Sequence, residues 1–275
     1  MGNKDEVSIM GCGWLGLPLA AQLVKAGYKV KGSTTTPKKL ELLEQKGIHP
    51  YLLNLQDEQL DREALKDFLK TQVLVLNIPP HLRSDGGEGY LEQMHLLLEF
   101  LSDSPVSRIL FVSSTSVYLD LNRVVTEEDI AFTEEQQPDH MLLQAEKLFQ
   151  ENDGWLTTIL RFGGLVGEDR RPGRFLAGKK NVPNGDAPVN LIHLEDCLTI
   201  IHRLIEGNIW GHVFHACADK HPLRKEFYTQ AALALRLTPP EFKDMDETRF
   251  KLINSQKIKD ALAYNFLHPD PMGFF

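Results

Sequence analysis

The chain has 275 residues, of which 42% are hydrophobic and 25% charged, and its formal net charge is −8. This composition is typical of a globular protein with an extensive buried core. The acidic balance, without a clustered basic run, excludes nucleic acid and an anionic membrane surface as main partners. No apolar run approaches the roughly 18 residues that cross a bilayer, and the chain does not start with a basic segment followed by an apolar one.

Cysteine and histidine usage bears on the compartment and on metals. The three cysteines, Cys12, Cys197 and Cys217, are far apart and odd in number. This excludes a disulfide framework and fits a reducing compartment, so we expect a cytoplasmic protein. The ten histidines show no spacing typical of zinc ligands, and the sequence therefore predicts no metal site.

An apolar strand near the start of the chain leads through a glycine turn into an apolar helix. The turn carries the pattern G-x-G-x-x-G at Gly11, Gly13 and Gly16. The first glycine permits the tight turn, the second lets the backbone approach a diphosphate, and the third permits close packing of helix on strand. Amide groups at the start of the helix then face the phosphates. This turn predicts dinucleotide binding, with Trp14 and Leu15 as further contacts.

Strands and helices alternate over the next 150 or so residues, with short links between them. Strands are predicted at 28–32, 48–55, 73–76, 108–112 and 156–161, and helices from 37 to Gly47, at 58–70, at 90–101 and from Pro138 to Phe149. This order implies an α/β fold with a doubly wound parallel sheet and right-handed crossovers. Ligands should then lie at the carboxyl ends of the strands.

Beyond Gly167 the composition changes. Runs rich in Arg, Gly, Pro and Asn at 170–174 and 178–188 predict long functional loops. Helices near 194–205, 223–235 and 255–262, with a strand at 213–215, predict a small C-terminal α/β lobe. We expect a dinucleotide-binding core over 1–167 and a substrate-binding lobe over 168–275, parts of which return to the core.

The end of the second strand bears on the choice of cofactor. NAD sites usually place an acidic residue about 20 residues past the glycines, but there is no Asp or Glu between residues 7 and 40. Hydroxyl and ammonium groups, which suit a 2′-phosphate, stand there instead: Ser33, Thr34, Thr35, Thr36, Lys38 and Lys39. The sequence favours NADP(H), with NAD(H) as the alternative. In a purely structural interpretation, Thr36 caps a helix and the lysines are solvated.

Four segments, taken together and in order, resemble the extended short-chain dehydrogenase/reductases, the NAD-dependent epimerase/dehydratase family. They are the glycine turn and segments 111–118, 159–167 and 190–196. The resemblance covers nearly the whole chain and implies a Rossmann core and hydride chemistry through a nicotinamide. The further cofactor contacts that it implies are Asn54, Leu55, Asn77, Ile78, Pro79, Ser113, Phe162 and Gly163.

Family enzymes pair a Ser or Thr after the fifth strand with Tyr-x-x-x-Lys on the next helix. Ser114 matches the hydroxyl position, and Thr115 and Ser116 beside it are candidate substrate contacts. None of the six tyrosines is followed four residues later by lysine. The chain therefore resembles atypical members that lack the catalytic tyrosine motif.

Two alignments of the catalytic helix remain open. If Ala145-Glu146 is aligned on the Ala-Glu that is usual in the family, Pro138 and Leu142 stand at the Tyr and Lys places. Without that anchor, His140 and Gln144 stand there. His140 is then the candidate acid or base, since an ordinary histidine pKa lies near 6.5, and a solvated surface histidine is the alternative.

The sequence leaves two functions open. The first is an NADP(H)-dependent oxidoreductase or epimerase-like enzyme that acts on a carbonyl or alcohol, with an anionic or nucleotide-sugar-like substrate held by Arg174 and Lys179. The second is a non-catalytic NADP(H)-binding sensor, which the missing motif favours. Cys12 is interpreted as a small residue in a cramped turn, with an activated thiol as the alternative. His193 is interpreted as structural. A homodimer is also left open.

Overall fold

A computed structural model of the protein describes residues 5–80, 89–129 and 141–275. Its strands are β1 Glu6–Met10, β2 Lys29–Thr34, β3 His49–Leu52, β4 Val73–Leu76, β5 Arg108–Ser114, β6 Arg123–Val125, β7 Leu156–Phe162, β8 Gly164–Val166, β9 Leu191–His193, β10 Val213–Ala216 and β11 Lys251–Ile253. Its helices are α1 Gly16–Lys25, α2 Leu40–Gln45, α3 Arg62–Phe68, α4 Tyr90–Ser102, α5 Met141–Gln150, α6 Gly173–Leu176, α7 Leu194–Glu206, α8 Arg224–Ala234 and α9 Gln256–Leu262.

Seven strands form the main sheet, in the order β10-β7-β5-β4-β1-β2-β3. The pairs β1–β2, β2–β3, β1–β4 and β4–β5 are parallel. The chain runs outward from β1 to β3, returns to β4 and continues in the other direction, so the strand order reverses between β1 and β4. The predicted doubly wound α/β fold is therefore confirmed, and ligands bind such sheets at that reversal.

The central strands follow from their composition. All four residues of β4 are buried, as expected for an unbroken apolar run with both faces covered. In α1 the buried residues are Gly16, Leu19, Ala20 and Leu23, which is the spacing of one helix face. Both elements were predicted because their burial pattern is visible in the local sequence.

Two predicted elements differ in the structure. The strand at 213–215, expected in the C-terminal lobe, is β10 at the edge of the main sheet, where Phe214 and Ala216 are buried. The helix expected from Pro37 begins as a single 3₁₀ turn, Pro37–Lys39, and becomes α-helical only in α2. The Thr36 side chain makes no cap hydrogen bond to it, and the Thr36 amide donates to the Thr34 hydroxyl at 3.2 Å.

Two small sheets were not predicted. Strands β6 and β11 form one parallel pair, and β8 and β9 form the other. Each of these strands has three residues, which is too short for an alternating pattern to appear. Within the described ranges no helix combines the length and the apolar character that crossing a membrane requires.

The contacts divide the chain into two compact units. Unit 1 consists of 1–113, 137–160 and 201–213, and unit 2 of 114–136, 161–200 and 214–275. The expected boundary after residue 167 falls inside unit 2, and the division of function between a core and a lobe stays a prediction.

Candidate functional site

The turn after β1, in unit 1, is closed by backbone atoms that leave no room for side chains. Gly11 has φ +102°, and a Cβ there would lie 2.5 Å from the Asn77 carbonyl oxygen. A Cβ on Gly16 would lie 2.2 Å from the Gly11 carbonyl oxygen. A Cβ on Gly13, by contrast, would meet nothing within 4 Å. The fold itself therefore requires the first and third glycines, whereas the second leaves an open approach to the backbone.

Hydrogen bonds from two neighbouring strands hold this turn. The Gly11 amide donates to the Ser33 hydroxyl at 3.0 Å, and the Asn77 side-chain amide donates to the Gly11 carbonyl at 3.0 Å. The Cys12 amide donates to the Ser33 carbonyl at 2.7 Å. Ser33 and Asn77, both predicted to contact the cofactor, thus support the turn that would receive it.

Helix α1 starts directly beyond this turn, and its positive end is not neutralised from within. Its N-cap residue, Leu15, is buried and makes no side-chain capping hydrogen bond, and no acidic residue lies in the first turn of the helix. Trp14 is half-buried beside it. Because helix N-termini attract anions, this end of α1 is suited to a diphosphate.

The thiol of Cys12 is not activated. It is buried, and a Cβ on Gly32 would lie 2.7 Å from its sulfur. Burial raises the pKa of Cys12 to about 12, although the Lys39 ammonium acts in the opposite direction. Cys12 is thus a small residue filling a cramped turn, and the activated-thiol alternative is wrong. The effect of Lys39 also shows that this ammonium is near the glycine turn.

The end of β2 separates into a buried and an exposed part. Thr34 is buried, whereas Thr35, Lys38 and Lys39 are exposed. Neither lysine makes an ion pair with any described residue. Thr35, Lys38 and Lys39 are therefore accessible for an incoming phosphate.

The other predicted adenosine contacts lie after β3 and β4. Asn54 is exposed and its side-chain oxygen accepts from the Gln56 amide at 3.2 Å, and Leu55 is buried. The Ile78 carbonyl accepts from the buried Tyr90 hydroxyl at 3.3 Å, and Pro79 is exposed. These residues follow strands that adjoin β2 or β1 in the sheet, but the structure itself does not assign them a ligand.

Helix α5 turns Leu142, Ala145, Glu146 and Phe149 into the core of unit 1. The buried Ser113 hydroxyl donates to the Glu146 carboxylate. This bond fixes the rotation of α5, and Leu142 lies one helical turn before it on the same buried face. The alignment anchored on Ala145-Glu146 is thus consistent with the packing of α5. His140 lies outside the described residues.

Unit 2 contains an open cavity of about 380 Å³. Ser114, Thr115 and Ser116 line part of it. The Ser114 hydroxyl oxygen accepts from the Ser116 amide at 3.1 Å, so its own proton remains available to a ligand. Of the segment 159–167, Phe162 is buried, and a Cβ on Gly163 would lie 2.5 Å from the Cys217 sulfur. These two residues have packing roles.

Three cations that the sequence did not single out line the same cavity. Lys251 donates to the Tyr118 carbonyl at 2.7 Å and to Asp120 at 3.0 Å. Arg249 is exposed and makes no ion pair with a described residue. Arg224 lies 5.9 Å from the Tyr228 ring centroid, and its buried Nε has no hydrogen-bond partner. The positive charge of two guanidinium groups along its lining makes the cavity suited to an anion.

Arg174 and Lys179, the predicted substrate cations, are exposed and are not among the residues that line this cavity. Arg174 lies on α6, whose buried Gly173 packs against α8: a Cβ on Gly173 would lie 2.1 Å from the Ala231 carbonyl oxygen. The basic loop is thus part of the packing of unit 2.

A buried polar network lies in unit 2. His215 Nδ1 is 3.2 Å from the Asn254 carbonyl and Nε2 is 2.8 Å from the Tyr118 hydroxyl. Since a carbonyl only accepts, Nδ1 carries the proton, Nε2 accepts from Tyr118, and Arg161 donates to the Tyr118 oxygen. Burial, and next the Arg161 charge, lower the pKa of His215 from 6.5 to about 4. The network is built for a neutral imidazole.

No family model matches the chain. Protein YeeZ of Escherichia coli K12 is 36% identical over 276 residues, which is 97% of each chain. The chain belongs to the YeeZ family.

Solved structures show which fold this YeeZ-family protein has. UDP-glucuronic acid 4-epimerase from Bacillus cereus, in complex with NAD, matches with a TM-score of 0.77 and 16% identity, covering 98% of this chain and 96% of that one. A short-chain dehydrogenase/reductase superfamily protein from Agrobacterium tumefaciens, with bound NAD, matches with a TM-score of 0.74 and 19% identity, covering 97% and 94%. The resemblance to the extended short-chain dehydrogenase/reductases is confirmed for the fold.

Sequence reasoning missed the cavity cations of this YeeZ-family chain because they are distant from Ser114 in sequence. Arg224 opens α8, and Arg249 and Lys251 flank Phe250 near β11. The alternation of Arg249, Phe250 and Lys251 does indicate a strand with two cations on one face. The position of that strand in the fold, however, depends on the pairing of β11 with β6. No local pattern reveals that pairing.

The glycine turn gives the first prediction. Gly13→Ala places a methyl group in open space, so the free energy of unfolding should change by no more than about 0.5 kcal/mol, while NADPH affinity falls at least about tenfold because the methyl blocks the diphosphate. Gly16→Ala meets the Gly11 carbonyl and should lose about 1–3 kcal/mol of stability. Calorimetric titration and urea unfolding measure the two effects. Gly273→Ala, also in open space, is the control. Unchanged NADPH binding by Gly13→Ala would contradict the assignment.

The His215 network gives the second prediction, which concerns the pH dependence of stability. Because the folded-state pKa is depressed, the unfolded chain takes up the proton first as the pH falls, and stability present above pH 6.5 is lost toward pH 4. This group should account for about 3 kcal/mol over that interval. Urea unfolding at several pH values should therefore give His215→Gln a flatter profile than wild type, with His95→Gln, a change at an exposed histidine, as the control. Parallel profiles for wild type and His215→Gln would refute the buried-imidazole interpretation.

Proposed function

We propose that the protein binds NADP(H) at the glycine turn and transfers hydride to or from a carbonyl or alcohol of an anionic substrate. The observation that carries the proposal is the turn itself, where Gly11 and Gly16 are required by close backbone contacts and Gly13 is open. A turn of this kind, followed by an uncapped helix end, is what a dinucleotide diphosphate needs. The NAD complexes of the B. cereus and A. tumefaciens proteins of the same fold support it.

The preference for NADP(H) is supported by the end of β2. An acidic side chain that would repel a 2′-phosphate is absent from 7–40, and Thr35, Lys38 and Lys39 are exposed there. Ser33 is buried and its hydroxyl accepts from the Gly11 amide, so the exposed Thr35, Lys38 and Lys39 are the main groups of the proposed phosphate site. A hydroxyl and two ammonium groups would complement the phosphate charge.

The anionic substrate is supported by the cavity of unit 2. Arg224 and Arg249 line this cavity, and their guanidinium groups would complement a phosphate-bearing molecule such as a nucleotide sugar. We infer that Ser114 donates its proton to a substrate oxygen and stabilises negative charge as it develops. UDP-glucuronic acid 4-epimerase, similar in fold, is the reason to include nucleotide sugars among the candidate substrates.

A specific observation favours a second candidate function. Under the alignment anchored on Ala145-Glu146, Leu142 stands where the family's lysine is expected, and it is buried on α5. No ammonium at that place can lower a tyrosine pKa from about 10 toward neutrality. Another group must then supply the proton, or the protein binds the dinucleotide without turnover and acts as a sensor. Under the other alignment, His140 is the candidate for that group.

Cofactor choice can be tested directly. Calorimetric titrations should show NADPH binding roughly tenfold to thirtyfold more tightly than NADH. In a Lys38→Ala/Lys39→Ala variant the two affinities should approach each other, because the charges facing the 2′-phosphate are gone. Lys46→Ala/Lys66→Ala removes two exposed lysines elsewhere in unit 1 and should keep the preference. A preference that survives the Lys38/Lys39 change would overturn this account.

Ser114→Ala separates the two candidate functions. With a panel of UDP-sugars and other phosphate-bearing alcohols and carbonyl compounds, NADPH absorbance and product analysis should reveal an accepted substrate, and the variant should lower kcat by about 10²–10³-fold. Ser102→Ala, whose exposed hydroxyl bonds only within α4, should match wild type. Equal turnover by Ser114→Ala would remove this residue from the mechanism. Tight NADPH binding without turnover on any compound would favour the sensor.

A further inference from the structure

Two histidines and a glutamate, from two separate segments of unit 2, meet away from the cavity. His193 ends β9, Glu195 lies in the first turn of α7, and His268 lies in the C-terminal segment. One ligand atom from each lies within 4.8 Å of the other two. His268 Nε2 is 2.6 Å from a Glu195 oxygen, and the two imidazole centroids are 3.9 Å apart.

The backbone under the two histidines is held by contacts outside the cluster, and the Glu195 amide donates to His193 Nδ1 at 3.3 Å. His193 is paired with Val166 in the β8–β9 ladder. The fully buried Asp196 carboxylate accepts from the Tyr264 hydroxyl at 2.5 Å, the Leu267 amide at 2.6 Å and the His268 amide at 3.1 Å. This carboxylate anchors the C-terminal segment to α7. The three donor groups are therefore positioned before any ion arrives, as effective metal sites require.

The donor set identifies the kind of ion. Two imidazoles and one carboxylate suit Zn²⁺, which takes nitrogen and oxygen ligands at about 2.0–2.2 Å. In a tetrahedral site such ligands are about 3.3 Å apart. The His268–Glu195 pair, at 2.6 Å, would therefore open by about 0.7 Å, and a pair near the 4.8 Å limit of the cluster would close by up to about 1.5 Å. Glu195 is exposed and the histidines are half-buried, so side-chain rotation can supply these shifts. Ca²⁺ and Mg²⁺ are disfavoured because only one residue offers oxygen.

We propose that His193, Glu195 and His268 form a Zn²⁺ site that clips the C-terminal segment to β9 and α7. The site does not depend on the proposed dinucleotide chemistry. With three protein ligands, a fourth position remains for water. No local spacing in the sequence indicates this site, because one histidine comes from the β9–α7 junction and the other from the C-terminal segment, which the Asp196 carboxylate helps to hold against α7.

The test is titration of the tag-free, chelator-treated chain with Zn²⁺, and separately with Co²⁺, whose visible absorption reports nitrogen and oxygen ligation. Wild type should bind one equivalent saturably, and its melting temperature should rise with the metal. His193→Ala and His268→Ala should each weaken binding by more than the roughly 10- to 100-fold that loss of an outer-shell partner causes. His95→Ala, which removes an exposed histidine on α4, should bind as wild type does.

Glu195→Gln tests the site even if the histidine variants misfold, because it replaces one atom of an exposed side chain. It should weaken Zn²⁺ binding and alter the Co²⁺ spectrum while the metal-free melting temperature stays near that of wild type. Failure of wild type to bind Zn²⁺ saturably, or equal binding by all four variants, would overturn the proposal. NADPH titration of the same samples is the separate readout for the proposed function.

Discussion

The proposed dinucleotide site depends on one close approach of backbone to backbone. The carbonyl oxygen of Gly11 occupies the space where a side chain of Gly16 would begin, and the carbonyl of Asn77 does the same for Gly11. No residue with a Cβ fits either place without a shift of the main chain. This contact joins the end of β1, the end of β4 and the start of α1 at the point where the strand order reverses. As a result, a diphosphate approaching the turn would meet backbone amides and no side chain of the turn.

Several polar side chains in unit 1 make hydrogen bonds within the protein, two of them to the glycine turn. The Ser33 hydroxyl accepts from the Gly11 amide, the Asn77 side-chain amide donates to the Gly11 carbonyl, and the Ser113 hydroxyl donates to Glu146. Exposed groups, such as Lys38 and Lys39, remain for recognition. The same division appears in unit 2, where Lys251 is committed to Asp120 and to the Tyr118 carbonyl, while two guanidinium groups line the cavity.

Much of the fold could be predicted because its signals are local. The glycine spacing, the apolar run of β4 and the helical spacing of α4 are each contained in a short stretch. The three-residue strands could not be predicted, since they carry no period. β10 was recognised as a strand but misplaced, because which neighbour a strand pairs with depends on the whole sheet. The cavity cations and the His193–His268 cluster were missed for the same reason: residues distant in the chain become neighbours only after folding.

The most direct measurement of the central claim is a map of backbone amide shifts by nuclear magnetic resonance, with ¹⁵N-labelled protein titrated with NADPH. If the bare turn receives the diphosphate, the amides of Gly13, Trp14 and Leu15 should show the largest shifts and saturate together. The account would be contradicted if NADPH saturated the protein while these three amides stayed unchanged, or if no amide responded at any NADPH concentration.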